Sequence, residues 1–185
     1  MFRRILVTFA LGCLAACAQA GLTTAHSLRE PPATGAAAGS PQELMSKLVG
    51  RWVLRGTIAH QNVVHDVEAT WHLQGNYVRI NEISRERGDN GGARYEATIY
   101  VGWLESAHRY ACIWLDNTEV ASGDVTCTTA SAQDSMSFEF RDARGALLIA
   151  TTFVYHVAND TWDWRIDNVS GGHVTPFAAL TMHRR

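Results

Sequence analysis

The sequence has no surplus of charge of either sign. Its 16 Lys and Arg stand against 18 Asp and Glu, a formal net charge of −2, which leaves no basic patch to drive nucleic-acid binding. It has no low-complexity tract, no sustained heptad and no internal repeat of fixed length, which excludes a coiled coil or a solenoid. Eight His are present, yet none falls into a His-Glu-x-x-His or facial-triad spacing, and no Cys-x-x-Cys occurs, so no metal is expected. A Gly-x-Ser-x-Gly elbow is missing, and Gly88 to Gly92 lies between strands rather than opening a helix, so neither hydrolase nor phosphate-cradling chemistry is announced. Between residues 51 and 183 there is no helix-length apolar pattern either.

What fills that region is alternation. Apolar and polar residues trade places along short segments, separated by turn signals near Gln61-Asn62, Gly75-Asn76, Gly88–Gly92, Ser106, Asn117, Ala132-Gln133, Asp142–Gly145, Asn159-Asp160 and Gly171-Gly172. Short, evenly spaced strands without intervening helices predict an all-β fold, a closed antiparallel up-and-down β-barrel of about ten strands. A hydrophobic content of 46% and six Trp argue for a folded core rather than disorder. The domain, residues 40–185, is large enough to bury roughly two-thirds of its unfolded surface.

The N-terminus reads as an address. Met1-Phe2-Arg3-Arg4 is a basic lead, and Ile5 to Ala16 is an apolar stretch too short to span a bilayer comfortably, which suits a signal peptide over residues 1–16. Leu14-Ala15-Ala16-Cys17 resembles a bacterial lipobox, in which Cys17 would be acylated and begin the mature chain. Ala18-Gln19-Ala20 offers an ordinary cleavage site as the alternative. Residues 17–39, rich in Ala, Thr, Gly, Ser and Pro, read as a flexible linker. Either way the protein is expected to be exported. It is an outer-membrane lipoprotein facing the periplasm, since Ala18 is not an inner-membrane retention Asp, or it is free in the periplasm or secreted. Of the four Cys, Cys112 and Cys127 remain as an even pair. A hairpin with its loop near Asn117 to Ser122 sets them opposite each other, so they form a disulfide or remain two buried thiols.

Ser40-Pro41-Gln42-Glu43 has the form of a capping box with Pro at the first helical position, and Leu44, Met45 and Leu48 share one face of two turns that stop at Gly50. Gly50-Arg51-Trp52 at the head of the first strand, after a short helix, resembles the opening of lipocalins and other calycins. That resemblance implies a Trp across the barrel floor, covered by an Arg from the last strand, here Arg184 or Arg185. The second lipocalin motif, a Thr-Asp-Tyr-like loop, is absent. Over residues 41–185 the chain resembles the bacterial family called domain of unknown function 1579, through Leu48-Val49-Gly50-Arg51-Trp52, Tyr95-Glu96-Ala97 with Val101-Gly102-Trp103, and Asp160-Thr161-Trp162-Asp163-Trp164. The resemblance implies a calycin-like barrel and no particular activity. Haem-binding barrels of the nitrobindin type also begin with Gly-x-Trp, but their Gly-rich extension is replaced here by Val53-Leu54-Arg55. His173 or His183 could ligate haem only by coincidence of place, and no cofactor is expected.

Strand parity predicts which side chains face inward. In the second strand Val67, Ala69, Trp71 and Leu73 form the inner set. A two-residue turn at Gly75-Asn76 would then pair Leu73 with Val78, Trp71 with Ile80 and Ala69 with Glu82, placing Glu82 on the core face. Later inner sets are Tyr95, Ala97, Ile99, Val101 and Trp103; Tyr110, Cys112 and Trp114 with Val125 and Cys127; Met136, Phe138 and Phe140; and Trp162, Trp164 and Ile166. His60 shares the parity of Trp52, Leu54 and Ile58. The strand Leu147 to His156 is apolar on both faces, and parity makes no assignment there. The inner aromatics either fill the core or line a cavity.

A barrel binding a small hydrophobic or amphipathic molecule is the leading expectation, with Trp71, Tyr95, Trp103, Trp114, Trp162 and Trp164 supplying contact area and Glu82 with His60 orienting a polar end. One alternative is an enzyme using Glu82 and a His for proton transfer. Another is a structural envelope protein with a solid core.

Overall fold

The computed structural model describes residues 40–118, 126–132 and 135–185. The signal peptide, Cys17, the linker and Val125 lie outside them. One short helix, α1 (Pro41–Leu48), leads into an all-β, antiparallel up-and-down barrel. Its strands are β1 (Gly50–Ile58), β2 (Gln61–His72), β3 (Tyr77–Ser84), β4 (Glu96–Leu104), β5 (Arg109–Asp116), β6 (Thr126–Ala132), β7 (Ser135–Arg141), β8 (Leu147–His156), β9 (Thr161–Ser170) and β10 (His173–Arg184). Each strand pairs with its sequence neighbours, and β1 pairs with β10 to close the ring. Such nearest-neighbour pairing is what short hairpin connections permit, and ring closure leaves no exposed sheet edge. No helix among the described residues is long and apolar enough to cross a membrane.

Helix α1 is too short to persist alone and is held by its surroundings. Ser40 Oγ accepts from the Glu43 amide at 3.2 Å, which forms the Ser40 half of the expected capping box. Leu44, Met45 and Leu48 are buried against the barrel. The carbonyls left open at its C-terminal end are taken by side chains, one from the next strand and two from far along the chain. The Trp52 indole donates to the Leu48 carbonyl at 2.7 Å, and the Trp162 indole to that of Lys47 at 3.3 Å. Arg184 donates to the carbonyls of Val49, at 2.6 Å, and Lys47, at 3.2 Å. The same guanidinium lies 3.8 Å over the Trp52 ring and bonds Asp160 Oδ2 at 2.8 Å, holding that carboxyl below its ordinary range. Of the two arginines expected over Trp52, Arg184 takes the place; Arg185 instead reaches Asp66 at 3.4 Å. Gly50 is required here. Its φ is +140°, and a Cβ would stand 2.3 Å from Arg184 Nη1, so any side chain would displace the guanidinium.

Because strand direction alternates, the connections fall at two ends. The helix end, sealed by α1, Trp52, Trp162 and Arg184, also receives the β2–β3, β4–β5 and β8–β9 connections. The β1–β2, β3–β4, β7–β8 and β9–β10 connections ring the other end. Cys112 and Cys127 are directly opposed on β5 and β6, with Cα atoms 5.0 Å apart, and form a disulfide.

Two expectations about turns need correction. The β1–β2 turn is Ala59-His60, not Gln61-Asn62, and both residues have positive φ, 49° and 65°. This two-residue geometry follows the right-handed strand twist. The β2–β3 connection is the four-residue Leu73–Asn76 segment rather than a two-residue turn, so Trp71 pairs with Val78, Ala69 with Ile80 and Val67 with Glu82. The slip is two residues, which preserves parity and moves every partner. Leu73, expected inside, has φ 49° and is exposed in that turn.

Replacing Arg184 with Ala is expected to lower stability by about 2 kcal/mol, the sum of a cation–π contact and bonds to helix-end carbonyls. Lys should restore little, because it lacks the planar fork. Urea denaturation followed by circular dichroism measures both. Replacing Cys112 and Cys127 together by Ala should lower stability by about 3 kcal/mol for a loop of this length, given a sequence separation of 15, again read as the urea midpoint.

Candidate functional site

A cavity of about 1340 Å³ occupies the barrel at the end away from α1. Its walls include residues of β1, β2, β3, β5, β7, β8, β9 and β10, with Trp114, Phe140, Trp164, Ile166 and Leu180 supplying much of the apolar surface. These aromatics brace one another. Trp114 meets Phe140 edge-on at 5.8 Å and Trp164 at 5.5 Å between centroids. Phe153 stacks on Trp164 at 4.5 Å, and the Trp164 indole donates to Thr151 Oγ1 at 2.9 Å. Packing and a satisfied N–H hold each ring in one orientation.

One wall is polar. Val67 faces Glu82 and His65 faces Ser84 across β2 and β3, so His65 and Glu82 are diagonal neighbours on the inner face, within reach of long side chains. His65 Nδ1 and Glu82 Oε1 stand 2.5 Å apart, with both side chains almost wholly buried. Glu82 Oε2 is buried without a hydrogen-bond partner. Burial pushes the Glu82 carboxyl above its ordinary range; the His65 bond and charge oppose this, and the Asp116 charge adds to it. Tyr95 stacks on His65, centroids 5.7 Å apart and planes 24° from parallel. Burial, then the charges of Glu82 and Asp116, push its phenol well up, against a hydrogen bond from Trp114, so it stays a neutral phenol. A carboxyl and an imidazole sharing one short hydrogen bond in a shielded wall can orient a polar ligand group or move a proton.

The candidates named from sequence divide. Glu82, Tyr95, Trp114 and Trp164 line the cavity. His60 does not face inward: it sits exposed in the β1–β2 turn, because parity does not carry through a turn whose residues have positive φ. Trp71 is 37% exposed, one residue from the end of β2 at the helix end, and so lies at the opposite end from the cavity. Trp103, half-buried at the same end, packs edge-on against Tyr110 at 5.1 Å and donates to Glu105 Oε2 at 2.6 Å. Trp162 is fully buried, but in the floor under Lys47. The residue missed is His65. It shares the parity of Val67 and Ala69, and extending that strand back one more inner position would have placed it inside; the misplaced turn at Gln61-Asn62 hid it.

Among the described residues no group of three or more His, Cys, Asp or Glu is gathered as a metal site. No protein-family model and no curated protein matches the chain.

The buried carboxyl makes stability depend on pH. Above the ordinary glutamate value of 4.5 the unfolded chain has released a proton that folded Glu82 still holds. Stability should therefore fall as pH rises through that interval, by at most about 1.4 kcal/mol per unit, and level off once Glu82 ionises in the folded protein. Urea denaturation across pH should show this fall in the wild type and its loss in Glu82→Gln.

Proposed function

We propose that the protein is an exported, calycin-like β-barrel that binds a small hydrophobic or amphipathic molecule in its interior. The observation that carries this reading is the cavity of about 1340 Å³, walled by braced aromatics and carrying one buried carboxyl with a free oxygen. A mostly apolar pocket with few, fixed polar groups is the usual form of a small-molecule site. The calycin class, and with it the kinship to domain of unknown function 1579, draws support from Gly50, Trp52 and Arg184 at the barrel floor. Acylation of Cys17 would tether the domain to the outer membrane facing the periplasm; cleavage after Ala20 would leave it free in the periplasm or secreted. The cavity speaks against a solid-cored structural protein.

The His65–Glu82 pair favours a second reading, a barrel enzyme moving protons within the same cavity. His65 takes the place expected of His60, and the two groups meet the distance that general acid–base chemistry needs. The readings part on the fate of the ligand: mass spectrometry recovers it unchanged from a binding protein and altered from an enzyme.

Trp114 and Trp164 line the cavity, whereas Trp52 and Trp162 lie in the floor. Titration with straight-chain alcohols, amines, fatty acids and lipid extracts should shift and quench the tryptophan emission saturably, with dissociation constants of about 1 μM for a well-fitting ligand, on the order of −8 kcal/mol. The change should vanish in the Trp114→Phe, Trp164→Phe double variant. An emission spectrum indifferent to every member of the panel would overturn the binding reading.

A further inference from the structure

The polar wall constrains what a ligand must bring. The proton between His65 Nδ1 and Glu82 Oε1 resides on one atom or the other, and in either case Glu82 Oε2 is left as an acceptor. A buried acceptor without a partner is costly, so the group seated there must donate a hydrogen bond. Carboxylates, ionised phosphates and ketones bring only acceptors.

The charges around the cavity add a sign. Its described lining includes four carboxyl groups, Glu82, Glu86, Asp116 and Asp142, and two guanidinium groups, Arg94 and Arg141. Both guanidinium groups are already engaged: Arg94 with Glu86 at 3.3 Å and Arg141 with Glu139 at 2.6 Å. Asp116 bonds its neighbour Thr118 through the amide and the hydroxyl, and its negative charge reaches far enough to raise both Glu82 and Tyr95. Among the described lining residues both guanidinium groups are thus already paired and the His65 imidazole faces Glu82, while the Asp116 carboxylate makes the wall beside Glu82 negative. The aromatic side chains Tyr95, Trp114, Phe140 and Trp164 line the same cavity, and aromatic faces attract cations as well as apolar chains.

We infer that the ligand is a lipophilic amine, whose protonated nitrogen donates to Glu82 Oε2 while its apolar body lies along the aromatic and aliphatic wall. A neutral alcohol would satisfy the acceptor and leave the negative field unused; a fatty acid would satisfy neither. This inference rests on the interior-binding reading above and adds the charge of the ligand to it.

Three probes of equal chain length test it: decylamine, 1-decanol and decanoate, titrated into the whole protein at pH 7 below their micelle concentrations and followed by calorimetry and tryptophan emission. Decylamine should bind at least about tenfold more tightly than decanol, the size expected for a charge-assisted hydrogen bond, and decanoate more weakly than both. In Glu82→Gln the preference for the amine over the alcohol should shrink to about threefold or less, decylamine losing more affinity than decanol. Asp116→Asn, at a half-buried residue, should narrow the same preference by weakening decylamine more than decanol, and serves if the Glu82 variant fails to fold. Decanoate binding as tightly as decylamine, decanol matching the amine, or an undiminished preference in these variants would overturn the inference while leaving interior binding in place. If none of the three binds, the binding reading falls, and this inference with it.

Discussion

The molecule depends on how one end of its barrel is sealed. A ring of antiparallel strands has two open mouths, and here one is stoppered by a guanidinium placed between an indole and a helix end. Arg184 joins four parts of the chain: β10, from which it comes; β1, through the Trp52 face; α1, through the carbonyls of Lys47 and Val49; and the β8–β9 turn, through Asp160. Each contact is modest alone, but they share one rigid planar group, so each holds the group in place for the others. The bare backbone of Gly50 makes room for it. Four of the six Trp, at positions 52, 71, 103 and 162, belong to this end, and the cavity occupies the other.

The open half is where the chain tolerates an expensive arrangement. A carboxyl removed from water without full compensation is destabilising, and Glu82 keeps only one of its oxygens bonded. Its neighbours give partial relief: His65 through a short hydrogen bond, and Tyr95 by shielding the imidazole with a stacked ring. Folding alone does not call for a carboxyl there, since the neighbouring inner positions of β3 hold Val78, Ile80 and the small Ser84, all buried without a charge. A costly polar group turned toward a cavity accords with the proposed interior site, where a ligand would supply the missing partner.

Much of this was legible in the residues. Alternation over 51–183 gives the strands, and parity sorts their faces correctly for Ala97, Ile99, Val101, Tyr110, Cys112, Phe138 and Trp164, all buried. Glu82 stood out as a carboxylate among apolar inner residues and lies where parity put it. The turns were less legible, because Ala59-His60 and Leu73-Gln74 adopt positive φ without the Gly or Asn that usually marks such positions. That is why His60 was favoured over His65: moving a turn by two residues keeps the faces but changes which residue begins the strand.

Sequence by itself determined the inward set in the strand interiors, though not at the strand ends where Leu73 and His60 lie, together with the capped helix and the opposed cysteines, because these follow from local periodicity and from hairpin pairing between neighbours. It could not divide the inward aromatics between floor and cavity, since that depends on how far along the barrel axis each lies, and period two carries no information about height. Nor could it join His65 to Glu82 or select Arg184 over Arg185. Those choices were made by strand register and ring closure, which set the spacing between residues 17 and more than 130 positions apart and so belong to the tertiary structure alone.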